Sequence, residues 1–322
     1  MLQKEYDIKR VGLIGFGDGV EKEMPILNRI VRVVDEKNWI ELETDARLIE
    51  RIVADYGLQA AKPSPAPRTK RSVEEVLAAE ATAFLDPTES TRYRSATMRA
   101  QYLGQDRVDV AEAVKCLSQN MAHPREGHVG EVKKLGRYLK SKPNVVFTFP
   151  RAEVAHRGPM RIEARSDSDW AGDAVNRRST SGLTIRLQGY LVKHSSTLQG
   201  VTSLSSTEAE FYACSKAAQV SLGVQSYLED WGLTCDIVLM TDSSGAKAFS
   251  ERRGIGALRH ISTRYLWLQE RIHMKHLRTQ KILGTDNEAD CLTKALPGAV
   301  LARWMNELGY KAKLNDGSYT DV

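Results

Sequence analysis

Residues 161–188 read RIEARSDSDWAGDAVNRRSTSGLTIRLQ, and this stretch decides the architecture. Two strand-like runs, 161–167 and 182–188, flank a segment rich in Gly, Asn, Asp and Ser. Strand-like runs bounded by turn residues predict strands. A third such run, 190–195, follows, then a long helix over about 207–229. The apolar run Ile237-Val238-Leu239-Met240 predicts another strand. Helices near 244–252 and 259–274, a strand near 277–283, and helices at 287–295 and 299–308 complete the chain. Strands first, then strands mixed with helices, imply an α/β domain with a mixed sheet packed by helices.

Acidic residues recur at the ends of these elements. Asp167 and Asp169 close the first strand, in SDSDWAG. Glu208 and Glu210 open the long helix, in SSTEAE, where Ser205 with Glu208 and Thr207 with Glu210 have capping-box spacing. Asp242 follows the short apolar strand, and Asp286, Glu288 and Asp290 open a late helix. Strand ends and helix starts that converge on one rim gather carboxylates, and such a cluster needs a cation. Hard oxygen ligands facing a phosphate substrate suit Mg²⁺, and two such ions can activate water and stabilise a leaving oxygen in phosphodiester hydrolysis. Glu208 and Glu210 lie about 200° apart around a helix, so both cannot face one ion. Spacing alone leaves open which of them does, and likewise Asp167 or Asp169.

Composition narrows the class. The chain has 322 residues, room for two or three domains, and 42% of them are hydrophobic, enough for real cores. Its longest apolar-plus-Gly run, Val11 to Gly17, is seven residues, against the roughly 20 that a membrane span needs. The start, Met1-Leu2-Gln3-Lys4-Glu5, lacks the apolar core of a signal peptide. The four cysteines, 116, 214, 235 and 291, form no CxxC motif and read as buried small apolar groups. An intracellular protein, cytoplasmic or nuclear, with no membrane partner is the expectation. Gly15-Phe16-Gly17-Asp18-Gly19 suggests a nucleotide loop, but Val20 stands where the dinucleotide fingerprint needs its third glycine and no GK[ST] follows. No organic cofactor is therefore expected.

Net charge is +5, yet residues 251–281 alone hold eight Lys or Arg against two acids, with three histidines among them. Clustered cations suggest a polyanionic partner. His273 and His276 have HxxH spacing but no evident third ligand, and the tryptophans at 170, 231, 267 and 304 read as core. Upstream, AAKPSPAPRTKR at 60–71 holds three of the ten prolines and reads as an extended linker. Before it stand a strand-like run at 11–16 and a helix near 44–56; after it comes a helical block over 74–142, where Val129, Val132, Leu135 and Leu139 share one stripe.

Five runs then occur in one order: SDSDWAGDAVNRRSTSG (166–182), SSTEAEFYA (205–213), TDS (241–243), RHI (259–261) and EADCLTKAL (288–296). Together they resemble the ribonuclease H domain of copia-type LTR retrotransposon Pol polyproteins. Tyr93-Arg94-Ser95, Tyr102-Leu103 and 107–140 resemble the connection that joins reverse transcriptase to ribonuclease H, and 8–67, with ILNR (26–29) and DYGL (55–58), resembles the end of the palm and the thumb. The resemblance implies a ribonuclease H-like mixed five-stranded sheet with flanking helices, preceded by a helical connection region and a small thumb-like remnant. The implied division is 1–59 palm-end and thumb remnant, 60–73 linker, 74–150 connection, 160–298 ribonuclease H, and 299–322 C-terminal helix and tail.

It further implies two-metal hydrolysis of the RNA strand of an RNA–DNA hybrid, with Mg²⁺ as cofactor and Mn²⁺ as a substitute. The family pattern selects Asp167, Glu210, Asp242 and Asp290 as catalytic and metal-binding acids. Asp167 would bridge both ions, Glu210 and Asp242 would complete one site, and Asp290 the other. Ser206 and Thr207 are the implied 2′-hydroxyl readers. Arg252, Arg253, Arg259, His260 and Arg264, with Arg177 and Arg178, are the implied phosphate contacts. The chain contains no Asp-Asp dipeptide, hence no Tyr-x-Asp-Asp polymerase signature, and Thr197-Leu198 stands where the family has Lys-Lys. DNA synthesis is not expected from this chain, and the missing reverse transcriptase portion is an expected partner. The competing reading is a catalytically silent nucleic-acid-binding remnant. A transposase or integrase, with three acids ending in Glu, is opposed by the Asp–Glu–Asp–Asp order.

Overall fold

The computed structural model describes residues 7, 11–151, 158–256 and 260–322. The described residues build two sheets. The first uses, in chain-order numbering, β5 (Met160–Asp169), β6 (Thr180–Leu187), β7 (Tyr190–Leu198), β8 (Cys235–Thr241) and β9 (Arg278–Lys281). Its order is β7-β6-β5-β8-β9, antiparallel across the first two pairings and parallel across the last two. This is the mixed five-stranded sheet expected of an α/β domain. Helices α6 (Ser206–Glu229), α7 (Ser244–Glu251) and α8 (Trp267–His273) accompany it. Ile162, Ala164, Leu183, Ile185 and Leu239 of the strands meet Phe211, Cys214 and Ala218 of α6 in one buried core.

The second sheet is antiparallel throughout. It joins β1 (Glu23–Ile26), β2 (Arg29–Val34), β3 (Trp39–Glu43), β4 (Val145–Pro150), β10 (Tyr310–Lys313) and β11 (Tyr319–Thr320) in that order. Glu41, buried on β3, binds the sheet across its width. It accepts from Lys313 Nζ at 2.8 Å and Tyr319 Oη at 2.6 Å, and pairs with Arg32. Beside this sheet lie α1 (Ala46–Asp55), α2 (Val73–Glu80), α3 (Pro87–Leu103), α4 (Val108–Gln119), α5 (Val129–Ser141) and α9 (Gly298–Glu307). Their core includes Ile52, Tyr93, Leu103, Val114, Leu135, Leu139, Trp304 and Met305. Caps set several starts: Ser72 and Glu75 form a full capping box on α2, and Asp86 with Pro87 opens α3.

Several local expectations differ from the structure. Among residues 11–16 only Ile14 makes a bridge, to Glu21, and the first strands lie later. The glycines at 12, 15 and 17 weaken that run as a strand, whereas RIVRVV at 29–34 is β-branched. The segment after α9 is not a plain tail, because β10 and β11 complete a sheet. The 259–274 helix is shorter: a 3₁₀ turn at Thr263–Leu266 precedes α8. The 287–295 helix is a 3₁₀ turn, Glu288–Leu292. The proline-rich stretch is packed down, with Ser64 and Ala66 buried and Arg137 Nε donating to the Lys62 carbonyl at 2.6 Å.

The helical region is pinned by a buried ion pair. Arg107 donates twice to Asp109, at 2.9 and 2.6 Å, and Tyr138 Oη donates to the same carboxylate at 2.8 Å. Val108, between them, donates its N–H to Tyr310 Oη at 3.4 Å. Removing one partner would strand the other charge in a dry core. Asp109→Ala is therefore expected to cost about 3–5 kcal/mol of stability, read from the urea midpoint. An unchanged midpoint would show that this pair does not hold the helices together.

Candidate active site

The acid cluster follows from strand register. Ser166 on β5 pairs in parallel with Thr241 on β8, so the next residues, Asp167 and Asp242, emerge side by side at the strand ends. Asp167 faces Gly182 across β6. A Cβ there would come within 2.7 Å of the Ala289 carbonyl, so this glycine lets the turn carrying Asp290 lie against the sheet. Helix α6 supplies Glu210, whose Oε1 accepts from Ser168 N–H at 3.1 Å. Oxygens of Asp167, Glu210 and Asp242 lie within 4.8 Å of one another.

Glu208 faces elsewhere. Ser205 caps α6 by accepting from Glu208 N–H, while the Glu208 side chain accepts from Leu204 N–H at 2.9 Å, one residue before the reciprocal bond of a standard capping box. It also takes Tyr212 Oη at 2.6 Å and His260 Nε2 at 2.8 Å. Burial works against its charge, but these three partners outweigh burial and hold its carboxyl below the usual range.

The cluster is electrostatically unfavourable as it stands. Burial pushes Asp167 up to about 7, with Asp290 and Asp242 adding to the shift while Thr293 and Lys294 oppose it. Burial, then Asp167 and Asp242, push Glu210 up to about 8. Glu210 Oε2 is buried and has no hydrogen-bond partner among the described residues. A bare carboxylate oxygen facing two further acids is a donor set suited to a hard divalent cation.

Asp290 does not join the three. Its Oδ1 pairs with Lys294 Nζ at 2.8 Å, although its charge still raises Asp167. Asp169 also stays out of the group. Ser206 is exposed and Thr207 half-buried in the first turn of α6. Arg177 and Arg178 are exposed in the β5–β6 turn, which Asp173 shapes by accepting from Val175 and Asn176 N–H. Arg252 and Arg253 are exposed after α7, and Arg264 lies over the Tyr265 ring, 4.8 Å from its centroid. Arg259 lies outside the described residues. His260, expected at a phosphate, is already bonded to Glu208. Two tryptophans expected in the core are not there: Trp170 is 48% exposed and Trp231 71%, since each sits just beyond the end of its element, whereas Trp304 is buried.

The chain has relatives among known proteins. The chain is 27% identical over 301 residues to the retrovirus-related Pol polyprotein of transposon TNT 1-94 from Nicotiana tabacum, which covers 92% of the chain and 21% of that protein. It is 30% identical over 231 residues to the retrovirus-related Pol polyprotein of transposon RE1 from Arabidopsis thaliana, covering 71% of the chain and 15% of that protein. The chain fits a segment of a retrotransposon Pol polyprotein. The chain spans about a fifth or less of these relatives' length. No protein-family model matches it. Among solved structures it is similar to a ribonuclease H1 isolated from compost, at 18% identity and a TM-score of 0.31, covering 42% of this chain and 94% of that one. Among the described residues no helix is long and apolar enough to cross a membrane.

Two site residues, Thr293 and Lys294, escaped the sequence reading, and one acid named there, Glu288, is tied into the sheet instead of the cluster. Thr293 Oγ1 donates to Asp167 Oδ2. Lys294 holds Asp290. Glu288, fully buried, accepts from Arg186 Nε at 2.8 Å, Arg186 Nη2 at 2.7 Å, Arg165 Nη1 at 2.6 Å and Thr184 Oγ1 at 2.8 Å. The available signal was the threonine and lysine three and four residues after Asp290 in EADCLTKAL. A Thr and a Lys at those spacings can reach back to the acid's own turn.

The raised acids make stability depend on pH. Their folded-state values lie above the unfolded ones, so between about pH 4 and 8 the native state binds more protons than the unfolded state. Stability is then lost as pH rises through this window. In EDTA, the melting temperature is expected to fall from about pH 5 to about pH 8, and Asp167→Asn to flatten the slope. Equal slopes in the two proteins would refute the assignment of this effect to the cluster.

Proposed function

We propose that the chain is the ribonuclease H region of a copia-type retrotransposon Pol polyprotein and hydrolyses the RNA strand of RNA–DNA hybrids with Mg²⁺ or Mn²⁺. The observation that carries this reading is the meeting of Asp167, Glu210 and Asp242 at one rim, with Glu210 Oε2 buried and unpartnered among the described residues. Asp167, Glu210 and Asp242 would hold the cation, with Asp290 beside them. Bound there, a divalent ion supplies Lewis-acid stabilisation of phosphate charge and an activated water.

The protein's own groups do the rest. Ser168 N–H and Thr293 Oγ1 orient Glu210 and Asp167. Glu208, bonded to His260 and Tyr212, fixes the first turn of α6, where Ser206 and Thr207 lie within reach of a strand crossing the rim. Arg177, Arg178, Arg252, Arg253 and Arg264 present exposed cations to a phosphate backbone, with Arg259 assigned to the same role by the resemblance. Expected products are a 5′-phosphate and a 3′-hydroxyl. The division into thumb remnant, linker, connection and nuclease remains part of this reading, as do the polymerase portion as a partner and an intracellular site of action.

The silent-remnant reading has one observation in its favour, the pairing of Asp290 with Lys294 away from the triad. Cleavage of a labelled hybrid separates the two. Wild type with Mg²⁺ or Mn²⁺ is expected to cut the RNA strand, and Asp167→Asn or Asp242→Asn to lose at least about 10²-fold in rate. No cutting, with salt-sensitive hybrid binding retained, would support the silent remnant. In the same binding assay, replacing both Arg252 and Arg253 by Ala should lower the salt slope by about 2. An unaltered slope would remove these two from the interface.

A further inference from the structure

We propose that Lys294 is the built-in counter-charge of the Asp290 side of the cluster, and that its ammonium competes with a divalent cation for that carboxylate. The inference rests on the metal-binding reading above and adds a residue that sets how readily the fourth acid takes part.

The four acids are not equivalent. Among the described residues, no Lys, Arg or His side chain forms an ion pair with Asp167, Glu210 or Asp242; Lys281 Nζ donates instead to the Asp242 backbone carbonyl, at 3.3 Å. Asp290 alone is neutralised, by Lys294 Nζ at 2.8 Å. The pair spans one turn, four residues apart, and Thr293 between them ties the turn to Asp167 and to the Asp290 carbonyl. The turn therefore fixes the root of the lysine stem beside Asp290.

Its surroundings match a cation's role. Burial alone would lower the Lys294 ammonium, yet Asp290, Asp167 and Asp169 together hold it above its ordinary value, so it stays charged. It in turn counters the rise of both Asp167 and Asp169. Its side chain is 44% exposed, which leaves a path for it to swing into water when a stronger cation arrives. A monovalent ammonium on a flexible stem can be displaced by a divalent ion, but the displacement weakens the ion's apparent affinity. Three free acids beside one paired acid then give one strong and one weak cation site.

Mn²⁺ titration of the full chain by calorimetry tests this without reference to turnover. Wild type is expected to show one tight and one weaker event. Lys294→Met should tighten the weaker event by about tenfold, and Lys294→Gln should do the same, while Lys294→Arg keeps the wild-type isotherm. Adding Asp290→Asn should erase the difference between the wild type and Lys294→Met. Thermal melts in EDTA establish that each variant is folded. Wild type and Lys294→Met isotherms that superimpose would overturn the proposal alone, as would equal tightening by Lys294→Arg. A wild type that takes up no Mn²⁺ would overturn both this proposal and the metal-dependent reading beneath it.

Discussion

Like charges packed into a dry rim are the constraint on which the rest of the structure turns. Two aspartates emerge from neighbouring parallel strands because Ser166 and Thr241 are in register, and α6 brings Glu210 over them. Burial and mutual repulsion raise two of the three acids well above their ordinary range. Such an arrangement persists only where the surrounding fold over-determines it. The cap on α6, the glycine at 182 and the turn at 288–292 all serve that end.

That turn is a wedge between two cores. Cys291 and Leu292 sink into the core of the helical region, while Glu288 takes four hydrogen bonds from β5 and β6 of the other. Asn287 Nδ2 donates to the Ser166 carbonyl at 2.9 Å, beside the first aspartate. A buried carboxylate is costly unless fully paired, and Glu288 is fully paired. Asp290 thus inherits its position from both halves of the molecule. The helical region is part of the scaffold of the site and not a passive preface to it.

Most of the five-stranded sheet was legible, because strand ends, turn residues and apolar runs coincide from 160 to 241. The acids were legible as a set, yet choosing Asp167 over Asp169 and Glu210 over Glu208 needed the family pattern; the structure groups Asp167 and Glu210 and gives Glu208 other partners. What was hidden depends on distant pairing. Strand β4 was absorbed into the end of the 74–150 connection region, and β10 into a tail, because each is short and each is completed by the other. Trp170 and Trp231 carry a core-forming side chain at positions where the backbone has already left the core. Lys294 looked like one basic residue among many until its turn brought it onto Asp290.

The antiparallel sheet also has a bearing on how the chain is made. Glu41 and Lys313 are separated by 272 residues, and β4 meets β10 only after α9 has been formed. At roughly 5–20 residues per second, ribosomes need on the order of tens of seconds to bridge that interval. Throughout it Glu41 lacks two of its partners, and from its own synthesis until β10 arrives β4 offers a bare edge, an open template for wrong strand pairing. Completion of this half is a late event in biosynthesis. Chaperone engagement and proteolytic loss would therefore concentrate on the unfinished first half while the nuclease-like sheet is already closing.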